Sequence, residues 1–496
     1  MEKVDLTNKI GKAEYHKVMQ ELTIKMGELQ RQARQMDIPI TLVFEGWGAS
    51  GKGMLLNKLI QALDPRGLTV YPMNNATEED KLHPYLWRYW VRIPQRGRVA
   101  IFDQSWYQRV LAERVENLIK EKKWRKAYYE INSFERQLAD DGHVIVKFFL
   151  HISKAEQKKR FREIEKDPEI SWRVTDVDWL QHKQYSKHLA AVEEMIEKTN
   201  TDYAPWYLVE TYDKRSAIAE VYTKVIHAIE NKIREIHEKS EQNKLYQPVN
   251  KKTQSSGSAI LDKIDLTKTI DKLIYKPELA KLQGEIRELT YTLYRRKIPL
   301  IIVYEGWDAA GKGSNIKRLT QTMDPRGYKV IPISAPNEVE REYHYLWRFW
   351  REIPQAGNVV VFDRSWYGRV LVERVENFCS TEEWTRAYEE INEMEEQLVE
   401  SGAVVLKFWL HIDQEEQLKR FEERKNNPHK QWKITDEDWR NREQWEPYQH
   451  AIEEMLLRTS TTYAPWTIVE ANSKYYARIK VLKTLIKSVE TRLASK

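Results

Sequence analysis

The chain repeats itself at an offset of 260 residues, and that constrains its fold more than any other feature. The segment TLVFEGWGASGKG (41–53) returns as IIVYEGWDAAGKG (301–313), DPRG (64–67) as DPRG (324–327), and FDQSWYQRV (102–110) as FDRSWYGRV (362–370). Tyr203-Ala-Pro-Trp206 returns as Tyr463-Ala-Pro-Trp466, with no insertion or deletion between the copies. A period this long is no solenoid, so each copy is expected to be a complete domain with its own core. The stretch 241–259 (EQNKLYQPVNKKTQSSGSA) is polar and lacks apolar periodicity, as a linker does. The expected organisation is therefore one domain over 1–240, a linker over 241–259 and a second domain over 260–496.

Composition removes several classes of protein. No apolar run approaches the roughly 18–20 residues of a membrane helix, and the first residues, MEKVDLTNKIGK, contain no apolar signal core. A single cysteine, Cys379, leaves neither an internal disulfide nor a cysteine zinc site. The net charge of +6, from 81 basic and 75 acidic residues, accommodates an anionic ligand without calling for nucleic acid. A cytoplasmic globular protein is expected, with no membrane or nucleic-acid partner and with homo-oligomerisation left open.

Within the second copy, Pro299–Tyr304, Val359–Phe362, Val404–Leu410 and Thr467–Val469 read as short apolar strands. Charged amphipathic stretches such as Glu382–Ser401 and Gln414–Lys425 separate them. Continuous apolar strands alternating with helices predict an α/β fold with a parallel sheet covered on both faces, formed twice.

Gly306-Trp-Asp-Ala-Ala-Gly-Lys312 has the G-x-x-x-x-G-K pattern and stands between a strand and a helix. Backbone N–H groups of Gly311, Gly313 and Ser314, with the Lys312 ammonium, are then suited to cradle a phosphate chain. The alternative is an ordinary glycine-rich turn with a solvated lysine. Two departures are informative: Gly313 replaces the usual metal-binding hydroxyl residue, and a carboxylate, Asp308, lies inside the loop. A carboxylate beside a polyanion makes sense when a divalent cation lies between them. Asp363, at the end of the second strand, is the second candidate ligand, so Asp308 and Asp363 are expected to hold Mg²⁺. A helix N-cap is the other reading of Asp363. Arg364 and Arg369 flank it, and arginines near such an aspartate suit phosphoryl transfer, which is mostly positioning and charge neutralisation.

A third cluster spans 413–433. Arg420 and Arg424 are four residues apart on one helix, and Lys430 and Lys433 follow in a proline-containing loop. It reads as a cationic lid over a polyphosphate chain, or as a solvated charged helix.

EGWDAAGKG, FDRSWYGR and RFEERKNNPHKQWK, in that order, resemble the type 2 polyphosphate kinases, which are P-loop kinases with a helical lid. The resemblance covers nearly the whole chain, twice, and the tandem arrangement is similar to members that transfer a phosphoryl group from inorganic polyphosphate to AMP, giving ADP. It implies that Asp308 and Asp363 hold Mg²⁺ and orient the attacking phosphate. It also implies that Lys312, Arg364 and Arg424 neutralise the group in flight and that Arg369 binds substrate phosphate. Trp347 and Trp366 are expected in the core. Phosphorylation of ADP to ATP, an ATP-dependent small-molecule kinase and a non-catalytic polyphosphate-binding scaffold are the competing readings. Donor and acceptor assays separate them.

The internal repeat singles out one copy. Lys312 and Asp363 have counterparts in Lys52 and Asp103, but Asp308 becomes Gly48, Arg364 becomes Gln104, Arg424 becomes Ile164 and Lys430 becomes Ile170. Charge is lost where a polyanion would react, while Trp47/Trp307, Trp106/Trp366 and Pro205/Pro465 persist. The second copy is expected to be catalytic and the first structural or weakly anion-binding.

Overall fold

The computed structural model describes residues 9–73, 75–245 and 260–494. In the first repeat, strands β1 (Ile40–Gly46), β2 (Leu68–Pro72), β3 (Val99–Asp103), β4 (Val144–His151) and β5 (Trp206–Glu210) form one parallel sheet in the order β2-β3-β1-β4-β5. Helices α1 (Lys12–Gln35), α2 (Lys52–Ile60), α3 (Glu121–Asp140), α4 (Lys154–Glu165), α5 (Asp176–Lys183), α6 (Tyr185–Thr199) and α7 (Lys214–Leu245) accompany it. The second repeat has the same order with β6 (Leu300–Gly306), β7 (Tyr328–Pro332), β8 (Val359–Asp363), β9 (Val404–His411) and β10 (Trp466–Glu470). Its helices are α8 (Lys272–Arg295), α9 (Lys312–Thr320), α10 (Thr381–Glu400), α11 (Gln414–Lys425), α12 (Asp436–Glu443), α13 (Trp445–Thr459) and α14 (Lys474–Ala494).

The central strands are buried along almost their whole length, which is why they read as unbroken apolar runs. The expected strands recur within a residue or two, and a fifth, β7, joins them. Its sequence, YKVIP, lies at the sheet edge and is half exposed, so it carries no apolar run by which to be recognised. Trp366 and Trp347 are buried, as expected.

Two compact units are present, one comprising 1–76, 89–250 and 338–344, the other 77–88, 251–337 and 345–496. The division therefore does not fall at a single point in the sequence. The polar run expected as linker from 241 is helical as far as Leu245, and its remainder, 246–259, lies outside the described residues. Among the described residues, no helix is long and apolar enough to cross a membrane.

Among the described residues, each unit buries one ion pair completely. Lys147 Nζ lies 2.6 Å from Glu135 Oε2, and Lys407 Nζ lies 2.7 Å from Glu395 Oε2. Each ammonium also donates to a tyrosine hydroxyl (Tyr107 or Tyr367) and a main-chain carbonyl (Thr199 or Thr459), so all three N–H groups are used. In both units the glutamate also accepts from an indole, Glu135 from Trp106 Nε1 at 2.9 Å and Glu395 from Trp366 Nε1 at 3.1 Å. The cluster thus fastens the turn after Asp363 to the middle of the sheet.

Candidate active site

Strand β6 ends at Gly306, where a Cβ would come within 2.5 Å of the Leu410 carbonyl oxygen, so only glycine lets the loop leave β9 this closely. The loop passes through Ala309 at φ +61° and enters α9 at Gly311, φ +105°. Trp307 stacks on Trp445 at 3.6 Å between ring centres and donates Nε1–H to His411 Nδ1 at 3.2 Å. Lys312 Nζ donates to the carbonyls of Gly306 (2.6 Å) and Trp307 (3.4 Å). Burial pulls its pKa below the usual lysine value despite nearby Asp308 and Asp363.

Asp308 is held from two sides, by Arg364 Nη2 to Oδ1 at 3.1 Å and Asn441 Nδ2 to Oδ2 at 2.9 Å. Burial pushes its pKa up, but Lys312, Arg364 and Asn441 outweigh that and hold it below the ordinary value. Asp363 closes β8 in register with Tyr304 of β6 and Pro332 of β7. No hydrogen bond or ion pair holds its carboxylate among the described residues. Ser365, not Asp363, caps the short helix that follows, accepting from Tyr367 N at 3.3 Å. Arg364 sits at φ +65°, a left-handed conformation uncommon for a residue with a Cβ.

Asp308, Lys312 and Asp363 line one cleft of about 850 Å³. The candidate residues Gly311, Gly313, Ser314, Arg364, Arg424, Lys430 and Lys433 border it too. Arg424, on the last turn of α11, donates to the Lys433 carbonyl at 3.1 Å and so ties the helix to the basic loop beyond it. Sequence reasoning missed Arg318, Lys474 and Arg478 on the same walls. Lys474 and Arg478, four apart at the start of α14, carry the same helical spacing as Arg420 and Arg424, but nothing nearby marks them as part of a site. Asn441 and Glu305 were missed as well. Glu305 is only 5% exposed, accepts from Ser365 Oγ at 2.8 Å, and has its pKa raised by burial.

Two expected substrate ligands are engaged elsewhere. Arg420 borders the cleft but is 3% exposed, and its five N–H donors go to Glu416 Oε1 (2.6 Å) and the carbonyls of Ala309, Ala310, Ala471 and Asn472 (2.7–3.1 Å). It braces the phosphate loop against the segment after β10. Arg369 is not among the residues lining the cleft. It pairs with Glu373 (3.1 Å) and Glu383 (3.6 Å) and lies 4.5 Å from the centre of the Tyr345 ring.

The first unit keeps the scaffold, the loop lysine and the strand-end aspartate but lacks the counterparts of Asp308, Arg364 and Arg424. Lys52 Nζ lies 3.5 Å from Asp103 Oδ1. At Gly48, the counterpart of Asp308, a Cβ would already meet Asp178 Oδ1 and Phe161 Cζ at 3.2 Å, so a loop carboxylate there would require these side chains to shift. Arg160 repeats the brace of Arg420, donating to the carbonyls of Ala49, Ser50 and Thr211.

Five carboxylates border the cleft, Asp308, Asp363, Glu423, Glu437 and Asp438, and among the described residues no three metal-ligating side chains cluster, so Asp308 and Asp363 fit Mg²⁺ only as a hard cation completed by phosphate oxygens and water. The family description "Polyphosphate kinase 2" matches residues 9–237 and 269–496. A polyphosphate:AMP phosphotransferase of Pseudomonas aeruginosa is 41% identical over 490 residues, covering 99% of this chain and 98% of its own. One of Pseudomonas syringae pv. tomato is 41% identical over 471 residues, covering 94% and 93%. A crystal structure described as a polyphosphate kinase 2 from Pseudomonas aeruginosa superposes with a TM-score of 0.89 at 39% identity, covering 100% of this chain and 99% of that one. With both repeats matched and relatives aligned from end to end, the chain belongs to the polyphosphate kinase 2 family.

Proposed function

We propose that the second repeat transfers the terminal phosphoryl group of inorganic polyphosphate to AMP. A phosphate oxygen of AMP attacks the terminal phosphorus, the bridging P–O bond breaks, and the shortened polyphosphate leaves with the electron pair. Little covalent chemistry falls to the protein in such a transfer, so positioning and charge neutralisation dominate. The N–H groups at the start of α9 and Lys312 bind phosphoryl oxygens. Arg364 lies between the phosphate loop and the lid, where charge is shared between donor and acceptor, and Arg424 closes from the lid side. Arg420 acts through the loop it braces. Asp308 and Asp363 would hold Mg²⁺ with phosphate oxygens, and the ion would supply the neutralisation that lets two polyanions approach.

The observation that carries this reading is the convergence of a phosphate loop, two carboxylates and lid cations on one cleft in the second unit. AMP as acceptor is supported by the full-length tandem relatives named above. The test follows nucleotide products chromatographically from polyphosphate, Mg²⁺ and AMP, ADP or GMP, with ATP as the alternative donor. Asp308→Asn should lower kcat by about 100-fold or more, the scale of losing one preorganised electrostatic group. Asp103→Asn should stay within about twofold of wild type. Equal losses in both variants would contradict the assignment to the second repeat.

A further inference from the structure

Beside the cleft, a smaller cavity of about 80 Å³ opens between the phosphate loop and the helices that follow β8 and precede β10. Trp307, Trp409, Leu371, Val372, Tyr448 and Ile452 give it apolar walls. Asp308, Arg364 and Asn441 border both spaces, so the slot opens beside the phosphoryl-transfer residues. At its inner end lies Glu305, nearly buried, with Oε1 occupied by Ser365. No hydrogen bond reaches Oε2 among the described residues, and that oxygen is not one of the fully enclosed ones, so it is open to the slot that Glu305 lines.

The first unit accounts for that oxygen. There the equivalent carboxylate, Glu45, accepts from Ser105 Oγ at 2.7 Å and also from Gln108 Nε2 at 2.8 Å. The counterpart of Gln108 is Gly368. Its backbone does not need a glycine: φ is not positive, and an added Cβ would meet nothing closer than 3.8 Å. What Gly368 provides is the missing side chain, which leaves the slot open and the second oxygen of Glu305 available.

We infer that this slot receives the base of the acceptor nucleotide edge-first, with Glu305 Oε2 accepting a hydrogen bond from the 6-amino group of adenine. The inference rests on AMP being the acceptor. At about 10–15 Å³ per water-sized probe, the cavity takes a flat ring edge and leaves ribose and phosphate in the cleft beside Arg364. A carboxylate only accepts. Guanine presents a carbonyl oxygen at the same edge, so GMP would set acceptor against acceptor in a buried site. The repeat without transfer chemistry has the slot plugged by its own glutamine.

The experiment compares wild type, Gly368→Gln and Gly368→Ala in the polyphosphate assay, and measures binding of AMP and purine riboside 5′-monophosphate, which lacks the amino group, by calorimetry. Gly368→Gln should raise KM for AMP at least tenfold while KM for polyphosphate stays within twofold. Gly368→Ala, which adds one methyl group and no amide, should raise KM for AMP less than Gly368→Gln does. Wild-type protein should bind AMP at least tenfold tighter than the analogue, a comparison that needs no variant to fold. An unchanged KM for AMP in Gly368→Gln, or equal binding of the two nucleotides, overturns the inference. Wild-type protein that prefers AMP over the analogue but makes no ADP from polyphosphate would sink the proposed reaction and leave the slot assignment standing.

Discussion

Trp307 hangs the phosphate loop on β9 through a single hydrogen bond, and that bond dictates the protonation of His411. An indole N–H only donates, so His411 Nδ1 must accept and carry no proton. Burial accordingly lowers the His411 pKa from 6.5 to about 4, against the pull of Asp413, Asp262 and Glu470. Because the folded value lies below the unfolded one, the stabilisation is complete above pH 6.5 and is lost as pH falls towards 4. The whole effect amounts to about 3 kcal/mol. His411→Asn, whose amide oxygen can still accept from Trp307 but does not titrate, should lose less stability than wild type between pH 7 and pH 4.5. Denaturant unfolding at the two pH values checks this. An equal loss in both proteins would place the acid sensitivity on other buried histidines. The residues proposed to carry the chemistry stand inside recognisable strings, which is why sequence alone could nominate them. His411, Glu305 and Asn441 were not legible there, because a lone polar residue on a strand or helix acquires meaning only from what tertiary packing sets opposite it.

Helix α11 shows how one spacing can hide two roles. Arg420 and Arg424 share a face by their four-residue separation, and in sequence both read as lid cations. In the fold Arg420, in the second turn, is buried with all its donors on the phosphate loop and its neighbours, while Arg424, in the last turn, is less buried and borders the cleft. Arg420→Lys keeps the charge but cannot reproduce a planar fork serving five acceptors. It should destabilise the protein by about 2–4 kcal/mol, as a broken buried charge network does, with a matching fall in the unfolding midpoint. Arg424→Lys should leave that midpoint within a degree or two and act on kcat instead. A reversed pattern would return Arg420 to the substrate. Among the strands, β7 escaped notice for a related reason: an edge strand with lysine and proline in five residues presents no apolar run, although its partner β8 did.

For the molecule as a whole, the alternation of apolar strands and charged helices specifies an α/β architecture, and the 260-residue repeat specifies that it forms twice. The repeat did not give the assignment of 77–88 and 338–344 to the opposite units, since both segments follow their own repeat in chain order. The two units have diverged in cleft charge and not in core charge. Lys147→Met and Lys407→Met each strand a buried glutamate and should cost about 3–5 kcal/mol apiece. Calorimetric unfolding should show comparable losses, in contrast to the unequal effects of Asp103→Asn and Asp308→Asn on turnover. A loss confined to Lys407→Met would instead tie the buried pair to catalysis. The turn after the strand-end aspartate carries the same lesson. Gln104 (φ +62°) and Arg364 (φ +65°) both adopt the left-handed bend, each with its N–H on a carbonyl of the neighbouring strand, Phe44 or Tyr304, at 3.0 Å. The bend therefore serves the sheet and is indifferent to the group it presents, so reactivity at this corner can be installed or erased by swapping one side chain without re-routing the polypeptide.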